Sequence, residues 1–365
     1  MKNIRYLKFM RRLCVSNRKA RRPLKAFFEL TYRCNHRCVH CYNAANGEDE
    51  LSREEVFSVL DQLARMGTIQ IVFTGGEIFT RPDITDILLH SRRRGLHTML
   101  MTNGSLITDR TAGMLRDIGI SDVDISFLGS SRETFDSITQ VEGSYDKVVS
   151  GVMALRLKGI VPVLKACAMK TNMEELADIF EMARRLGASF GFSPSVIPRL
   201  DLDKKPTFFR LTSEECLDIK NRLNLLCRAK PLKPHLLKTR IRKEAKRYPA
   251  RTTRDDGRLF NCMAGNTTIC INPYGEIKPC LILPQPAYSI RGSTVEEGWD
   301  KIKRFVDDIR PPEGWRCASC EYERWCAKCP AMAYLNSGDI FGCTDHLKES
   351  ARAGKEKYED SARAG

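Results

Sequence analysis

The chain has 365 residues, including 15 cysteines, and its 60 basic and 45 acidic side chains give a formal net charge of +15. The length suffices for one large domain or two smaller ones, and a hydrophobic content of 42% argues against global disorder. No run of about 18 apolar residues occurs, which excludes a membrane-spanning helix, and basic residues interrupt the N-terminal stretch, which excludes a signal peptide. The sequence therefore predicts a cytoplasmic protein whose thiols bind metal rather than form disulfides.

Most of the positive charge lies in two segments. Residues 1–25 carry ten basic and no acidic side chains, and residues 228–258 carry twelve basic and three acidic ones. We interpret 1–25 as a basic N-terminal extension and 231–260 as a basic linker. Such segments either steer an anionic partner or form a solvated surface that has no dedicated partner.

Residues 26–230 alternate short apolar runs with amphipathic stretches, which is typical of strands alternating with helices. Six such units in series predict a parallel sheet with helices outside it, and because a complete barrel has eight units, six indicate a partial barrel. The chemistry of such folds lies at the carboxyl ends of the strands. We predict strands at 26–31, 69–73, 98–102, 123–127, 161–169 and 190–197, and helices at 52–66, 83–94, 108–118, 144–158, 174–186 and 212–227.

Three cysteines follow the first predicted strand directly. Cys34, Cys38 and Cys41 have the spacing C-x3-C-x2-C. Three thiolates on a short loop can hold three irons of a 4Fe–4S cluster and leave the fourth iron open to a small molecule. The alternative is a zinc site, although structural zinc prefers four protein ligands and C-x2-C pairs.

The composition of the chain and the length of its predicted elements change after residue 260. Eight cysteines lie between residues 262 and 343, where predicted secondary structure is short. This pattern predicts a small metal-stapled domain over 261–347, followed by a polar tail at 348–365. A zinc ribbon on Cys317, Cys320, Cys326 and Cys329 is the alternative.

Four motifs together resemble the radical S-adenosylmethionine (radical SAM) superfamily. They are the cysteine loop with Tyr42 after it, Thr74-Gly75-Gly76-Glu77-Ile78 after the second strand, Thr102-Asn103-Gly104 after the third, and Asp124-Ile125-Ser126 in the fourth. The resemblance covers roughly residues 26–230 and implies a partial (β/α)6 TIM barrel. It implies that Cys34, Cys38 and Cys41 ligate a 4Fe–4S cluster that binds S-adenosylmethionine. It further implies cofactor contacts for Gly75, Gly76, Glu77, Asn103 and Ser126.

The cysteines of the C-terminal region resemble a SPASM domain, the auxiliary-cluster module of radical SAM maturases. The spacing is C-x12-G-x4-C, then C-x2-C-x5-C-x2-C, then a final cysteine. The resemblance implies two auxiliary 4Fe–4S clusters, one held by Cys262, Cys280 and Cys329 and the other by Cys317, Cys320, Cys326 and Cys343. The fourth ligand of the former is left open between Asp256, Cys270 and no protein ligand.

Cys167 is a candidate outside these clusters. It lies on predicted strand five, two residues from Lys165 and on the same face. If that face points into the barrel, Cys167 could donate a hydrogen atom to a substrate radical. Lys165 could instead meet the carboxylate of S-adenosylmethionine.

The resemblance implies an enzyme that reductively cleaves S-adenosylmethionine to a 5′-deoxyadenosyl radical and abstracts a substrate hydrogen, with the auxiliary clusters accepting an electron. We expect it to modify a ribosomally made peptide or protein. The alternatives are oxidation of a small-molecule cofactor precursor, haem-like or quinone, and a non-catalytic iron–sulfur or RNA-associated protein. Sulfatase-maturase chemistry is disfavoured because Leu281 stands where those enzymes carry an Asp.

The expected partners follow from the same resemblance. They are a peptide or protein substrate, an electron donor of the flavodoxin or ferredoxin type, and a separate leader-binding adaptor, since only about 25 residues precede the first strand. Nucleic acid is not expected, because no appended RNA-binding domain is apparent.

Overall fold

The computed structural model describes residues 22–44, 49–229, 257–260, 262–326 and 328–363. These residues form one sheet of nine strands in the order β6-β5-β4-β3-β2-β1-β7-β8-β9. Each neighbouring pair from β1 to β6 is parallel, and the helices cover the outer face. The prediction of an α/β fold built on a partial (β/α)6 barrel is therefore confirmed.

The strands and helices of the barrel alternate, except that two helices separate β4 from β5. The strands are β1 Lys25–Thr31, β2 Gln70–Gly75, β3 His97–Thr102, β4 Asp122–Ser126, β5 Val163–Cys167 and β6 Ser189–Ser193. The helices are α1 Arg53–Arg65, α2 Ile84–Arg93, α3 Asp109–Ile118, α4 Arg132–Thr139, α5 Ser144–Leu157, α6 Leu176–Arg185 and α7 Ser213–Ala229.

One helix of the barrel was not predicted, and the predicted start of another is defined by its cap. Helix α4 was not predicted, and it begins after Ser131, whose side chain accepts a hydrogen bond from the Thr134 backbone N–H. Helix α7 begins with a capping box between Thr212 and Glu215, where each side chain accepts from the other residue's backbone N–H.

The C-terminal region continues the barrel sheet. Strand β7 (Thr268–Ile271) pairs in parallel with β1, and β8 (Glu276–Lys278) and β9 (Tyr288–Ser289) follow it antiparallel. Helix α8 (Val295–Asp308) packs on β8 and on α1. Because β7 covers what would be the free edge of β1, the predicted second domain is joined to the barrel through backbone hydrogen bonds.

The last helices close the chain. Helix α9 spans Pro330–Ser337 and α10 spans Asp345–Arg363. The segment expected to be a polar tail is thus helical as far as Arg363, and it buries Ala351 and Ala353. None of the described helices is both long and apolar enough to cross a bilayer. Most of the predicted N-terminal extension and linker, residues 1–21 and 230–256, lies outside the described residues.

Candidate functional site

The carboxyl edge of the parallel strands collects the motifs that the sequence singled out. The cysteine loop follows β1, the Gly75-Gly76-Glu77 motif ends β2, Asn103 follows β3, and Ser126 ends β4. Parallel strands end at one edge of their sheet, so residues far apart in sequence meet there.

The cysteine loop is seated on helix α4. The backbone N–H of Arg37 donates to the Thr139 carbonyl at 2.9 Å, and that of Val39 donates to the Ile138 carbonyl at 3.0 Å. Both carbonyls belong to the last turn of α4, where carbonyls lack partners within the helix. The helix that the sequence analysis missed is therefore the support of the first cysteine group.

The three thiols of this loop lie within electrostatic reach of one another. Burial, together with Cys41 and Cys34, raises the pKa of Cys38 to about 12. Burial also raises the pKa of Cys34. Iron–sulfur clusters are held by cysteine thiolates, so a loop that presents three neighbouring thiols fits a 4Fe–4S cluster.

Two histidines of the loop are buried without hydrogen-bond partners at one ring nitrogen each. These atoms are Nε2 of His36 and Nδ1 of His40. Burial lowers the pKa of His40 to about 4, which keeps its ring neutral near pH 7.

The glycines of the Gly75-Gly76-Glu77 motif are required by the chain itself. A Cβ at Gly75 would lie 2.2 Å from the Thr31 carbonyl oxygen, and one at Gly76 would lie 2.3 Å from that of Arg33. The Gly76 N–H donates to Thr31 and the Glu77 N–H to Arg33, at 2.7 and 2.9 Å. These backbone hydrogen bonds hold the motif against the segment that leads into Cys34.

The carboxylate of Glu77 is fully buried and bonded on both oxygens. Thr102 Oγ1 donates to Oε1 at 2.7 Å and to Oε2 at 2.9 Å. The Phe79 N–H donates to Oε1 at 3.1 Å and the Asn103 N–H to Oε2 at 2.6 Å. Burial raises the pKa of Glu77, and these hydrogen bonds oppose that effect. Thr102 is a residue that sequence reasoning quoted within a motif but gave no role.

Asn103 ties the end of β3 to the cysteine loop. Its Nδ2 donates to Asn35 Oδ1 at 2.8 Å and lies 3.9 Å from the sulfur of Cys34. Its Oδ1 accepts from the backbone and side chain of Ser105. Asn103 therefore connects Glu77 to the first cysteine group.

The interior of the barrel carries charge. Lys165 Nζ lies 3.3 Å from Asp124 Oδ2, and Lys25 is electrostatically coupled to the same carboxylate. Burial raises the pKa of Asp124, while Lys165 lowers it. Ser126, which pairs with Lys165 in the β4–β5 register, is exposed at the strand end.

Cys167 lies at the end of β5 beside the first cysteine group. Its thiol interacts electrostatically with that of Cys38. Burial raises the pKa of Cys167 to about 12, so this thiol is protonated near pH 7. The placement brings a hydrogen-bearing sulfur close to the cysteine loop.

The C-terminal cysteines separate into two groups. Burial raises the pKa of Cys280 to about 12, with further contributions from neighbouring Cys329 and Cys262. Cys326 has its pKa raised to about 11 by burial and by Cys317, Cys343 and Cys320. Cys280 therefore has Cys329 and Cys262 in its electrostatic neighbourhood, and Cys326 has Cys317, Cys343 and Cys320.

The oxidation state of the cysteines and the arrangement of the possible ligands indicate which type of metal centre fits. All described cysteines are free. Within the described residues, no three His, Cys, Asp or Glu side chains converge on a point suited to a single ion. Ligands of a 4Fe–4S cluster bind different irons and need no such convergence. Cys270 is buried on β7 within reach of Cys280, whereas Asp256, Cys14 and the side chain of Cys227 lie outside the described residues.

Comparison with known proteins gives a family match. The model of the Radical SAM superfamily matches residues 28–186. The AdoMet-dependent heme synthase of Methanosarcina barkeri is 28% identical over 87% of this chain and 94% of that protein. The antilisterial bacteriocin subtilosin biosynthesis protein AlbA of Bacillus subtilis is 26% identical over 86% of this chain and 66% of that protein. Streptococcus suis SuiB bound to its precursor peptide SuiA shares the fold, with a TM-score of 0.70 at 15% identity over 92% of this chain and 79% of SuiB.

Proposed function

Because this chain belongs to the radical SAM superfamily and its named relatives are enzymes, we propose that it is a maturase that modifies a ribosomally made peptide or protein. The superfamily implies a 4Fe–4S cluster and S-adenosylmethionine, which when bound supply a 5′-deoxyadenosyl radical that removes a hydrogen atom from the substrate. The convergence of the cysteine loop, the Gly75–Glu77 motif and Asn103 on one sheet edge carries this proposal.

The residues around the first site have separate tasks. Cys34, Cys38 and Cys41 hold the cluster. The backbone of Gly75 and Gly76 borders the cofactor, and Glu77 orients it while holding Asn103 in place. Ser126 faces the cofactor from the end of β4, where its exposed hydroxyl can donate or accept a hydrogen bond.

Two auxiliary 4Fe–4S clusters complete the proposal. Cys262, Cys280 and Cys329 hold one, and the separate group that contains Cys317 holds the other. Their mutual electrostatic neighbourhoods support this division. Cys270 is a candidate fourth ligand of the cluster at Cys280, since both thiols are buried and coupled.

Anaerobic reconstitution tests this assignment. Three clusters predict about twelve irons per chain, whereas about four would leave only the first site. Replacing Cys34, Cys38 and Cys41 together with Ala should abolish formation of 5′-deoxyadenosine from S-adenosylmethionine and dithionite. Retained cleavage in that variant would refute the site. Short peptides encoded beside the gene are the substrates to assay by mass spectrometry.

A small-molecule substrate is the second candidate. The match to the M. barkeri heme synthase extends over 94% of that enzyme, whereas the match to AlbA covers 66% of AlbA. Inside the barrel, Lys25 and Lys165 share the carboxylate of Asp124, which leaves positive charge to pair with an anionic substrate group. Turnover of a haem precursor with no mass change in any neighbouring peptide would establish this alternative.

We propose that Cys167 donates a hydrogen atom to the substrate radical, and that one electron from the external flavodoxin or ferredoxin and one proton then return the resulting thiyl radical to the thiol. Its thiol is protonated near neutral pH and lies beside the first cysteine group. In deuterated solvent, product from the natural chain should carry deuterium at the modified carbon. The Cys167→Ala variant should still form 5′-deoxyadenosine while losing this label. An unchanged label would remove Cys167 from the proposal.

Two partners belong to the proposal. A flavodoxin or ferredoxin supplies the electron, and a separate small adaptor presents the leader of the peptide. Replacing dithionite with a reduced flavodoxin should support cleavage of S-adenosylmethionine. Co-purification with a small protein encoded nearby, dependent on the peptide leader, tests the adaptor.

A further inference from the structure

Lys328 is bound directly to a cysteine of the C-terminal region. Its ammonium donates to the sulfur of Cys317 at 3.3 Å. It also donates to the carbonyl oxygens of Phe341 at 2.9 Å and Gly342 at 3.2 Å. Three hydrogen bonds use the full donor capacity of an ammonium group, so its position is defined.

An aromatic ring completes the enclosure of this ammonium. Lys328 Nζ lies 4.1 Å from the centroid of the Trp315 ring, a cation–π distance. The indole N–H of Trp315 donates to the Phe341 carbonyl at 2.9 Å, so ring and ammonium share one acceptor. Trp315 and Cys317 are both buried.

No carboxylate of the described residues forms an ion pair with Lys328. Among the residues that the structure describes, no Asp or Glu forms a salt bridge with Lys328, although Lys278 and Lys355 in the same region each have one. An ammonium without a counter-ion acts with its full charge on the nearby sulfur.

Lys328 also stands between the two auxiliary cysteine groups. It precedes Cys329, which belongs with Cys280, while its side chain reaches Cys317 of the other group. A cation in this position gives the group that contains Cys317 a more positive electrostatic environment than the group that contains Cys280.

We propose that Lys328 is a positioning residue that raises the reduction potential of the cluster held by Cys317, Cys320, Cys326 and Cys343, which rests on the proposed function. Reduction adds negative charge to a cluster and its thiolates. A cation that donates to one of these sulfurs stabilises the reduced form more than the oxidised form. The cluster beside Cys317 thereby becomes the stronger electron acceptor of the auxiliary pair.

The test is an EPR-monitored potentiometric titration of the reconstituted full chain. In Lys328→Met, one auxiliary signal should shift to lower potential by about 59 mV, a tenfold fall in the equilibrium constant for one-electron reduction. Lys328→Arg, which keeps the charge, should shift it less. Iron content and circular dichroism establish that each variant is loaded and folded.

Lys355→Met is the matched control. Lys355 lies 5.8 Å from the Trp325 ring and 5.5 Å from the Tyr322 ring, and it pairs with Glu321. It thus shares the aromatic setting of Lys328, and none of these three contacts involves a thiol. Its replacement should leave all potentials unchanged.

The outcomes separate the two claims. A Lys328→Met potential that moves no more than that of Lys355→Met overturns the inference and leaves the proposed function intact. Absence of any auxiliary signal in the natural chain refutes the auxiliary clusters themselves. If Lys328→Met loses iron, Lys328→Gln takes its place, and an unshifted potential there overturns the inference equally.

Discussion

Glu29 on β1 and Lys278 on β8 form a buried ion pair, with 3.2 Å between Oε2 and Nζ. Their side chains are 0% and 3% exposed, and the hydroxyl of Tyr32 donates to the same Glu29 oxygen at 3.0 Å. Five residues after Glu29 comes Cys34, and two residues after Lys278 comes Cys280. The pair therefore fixes the strand that leads to the first cysteine group against the strand that leads to the second.

Breaking this pair from one side should be strongly destabilising. Lys278→Met leaves the Glu29 carboxylate buried with no cation, and we expect a loss of about 3–5 kcal/mol in the free energy of unfolding. The double variant Glu29→Leu, Lys278→Met removes both charges and should lose less. Urea unfolding measures both. Lys158→Met, which removes a pair with the exposed Asp109, is the control and should change stability by about 1 kcal/mol or less. Equal losses in single and double variants would contradict the pairing.

Thr102 should prove necessary for cofactor cleavage although it was given no role from sequence. Thr102→Val keeps the side-chain shape but removes the donor to both Glu77 oxygens, an expected loss of about 1–3 kcal/mol at a buried site. The Glu77 carboxylate, which also accepts from the Asn103 N–H, then loses this donor, so formation of 5′-deoxyadenosine should fall. Thr98→Val on the same strand, which breaks a bond to Ser91, should affect stability alone. Equal cleavage rates in both variants would refute this role.

Cys329 should behave as a partner of Cys280. Its replacement by Ser should remove about four irons and leave the cluster at Cys317 spectroscopically intact. If Cys329 and Cys317 instead belonged to one site, the replacement would also remove the signal of the cluster at Cys317. Cys216→Ser, on helix α7, serves as the control and should keep all of the iron. Iron analysis and EPR spectra decide between these outcomes.

Glu175 should make the support of the first cysteine loop sensitive to acid. Burial raises its pKa, but hydrogen bonds from Thr134, Ser130 and Ser131 outweigh that effect, so the pKa of Glu175 is lowered overall. A depressed carboxyl pKa contributes stability above the unfolded value, about 4.3, which is lost as pH falls through the folded value. Glu175→Gln should therefore reduce the free energy of unfolding at pH 7. In this variant, the free energy of unfolding should fall less steeply as the pH drops below about 4.3.

The measurement is the urea midpoint at pH 7 and at acid pH. Glu181→Gln is the control, because Glu181 forms ion pairs with Arg184 and Arg185 within α6. An identical acid dependence in the natural chain and in Glu175→Gln would exclude this role for Glu175.

Local patterns were sufficient for much of the fold and for the members of the site. Periodicity predicted the six parallel strands because each strand is a short apolar run, and spacing predicted the cysteine loop because its members are neighbours in sequence. Helix α4 was not predicted because it has only eight residues and follows a serine pair that is typical of a loop. The role of Thr102 was not predicted because its hydrogen-bond partner, Glu77, lies 25 residues away in the chain.

The amino-acid sequence by itself determined the class of barrel, the superfamily and which cysteines are candidate ligands, since these depend on residue type and short-range spacing. Only the tertiary structure decided that β7 joins β1, that Glu29 meets Lys278 across 249 residues, and that Lys328 reaches Cys317. Each of these contacts depends on strand register and on the folding back of a distant segment. A linear pattern carries no distance between such segments, whereas buried polar groups are mostly paired in a folded protein, which favours an arrangement that brings their partners together.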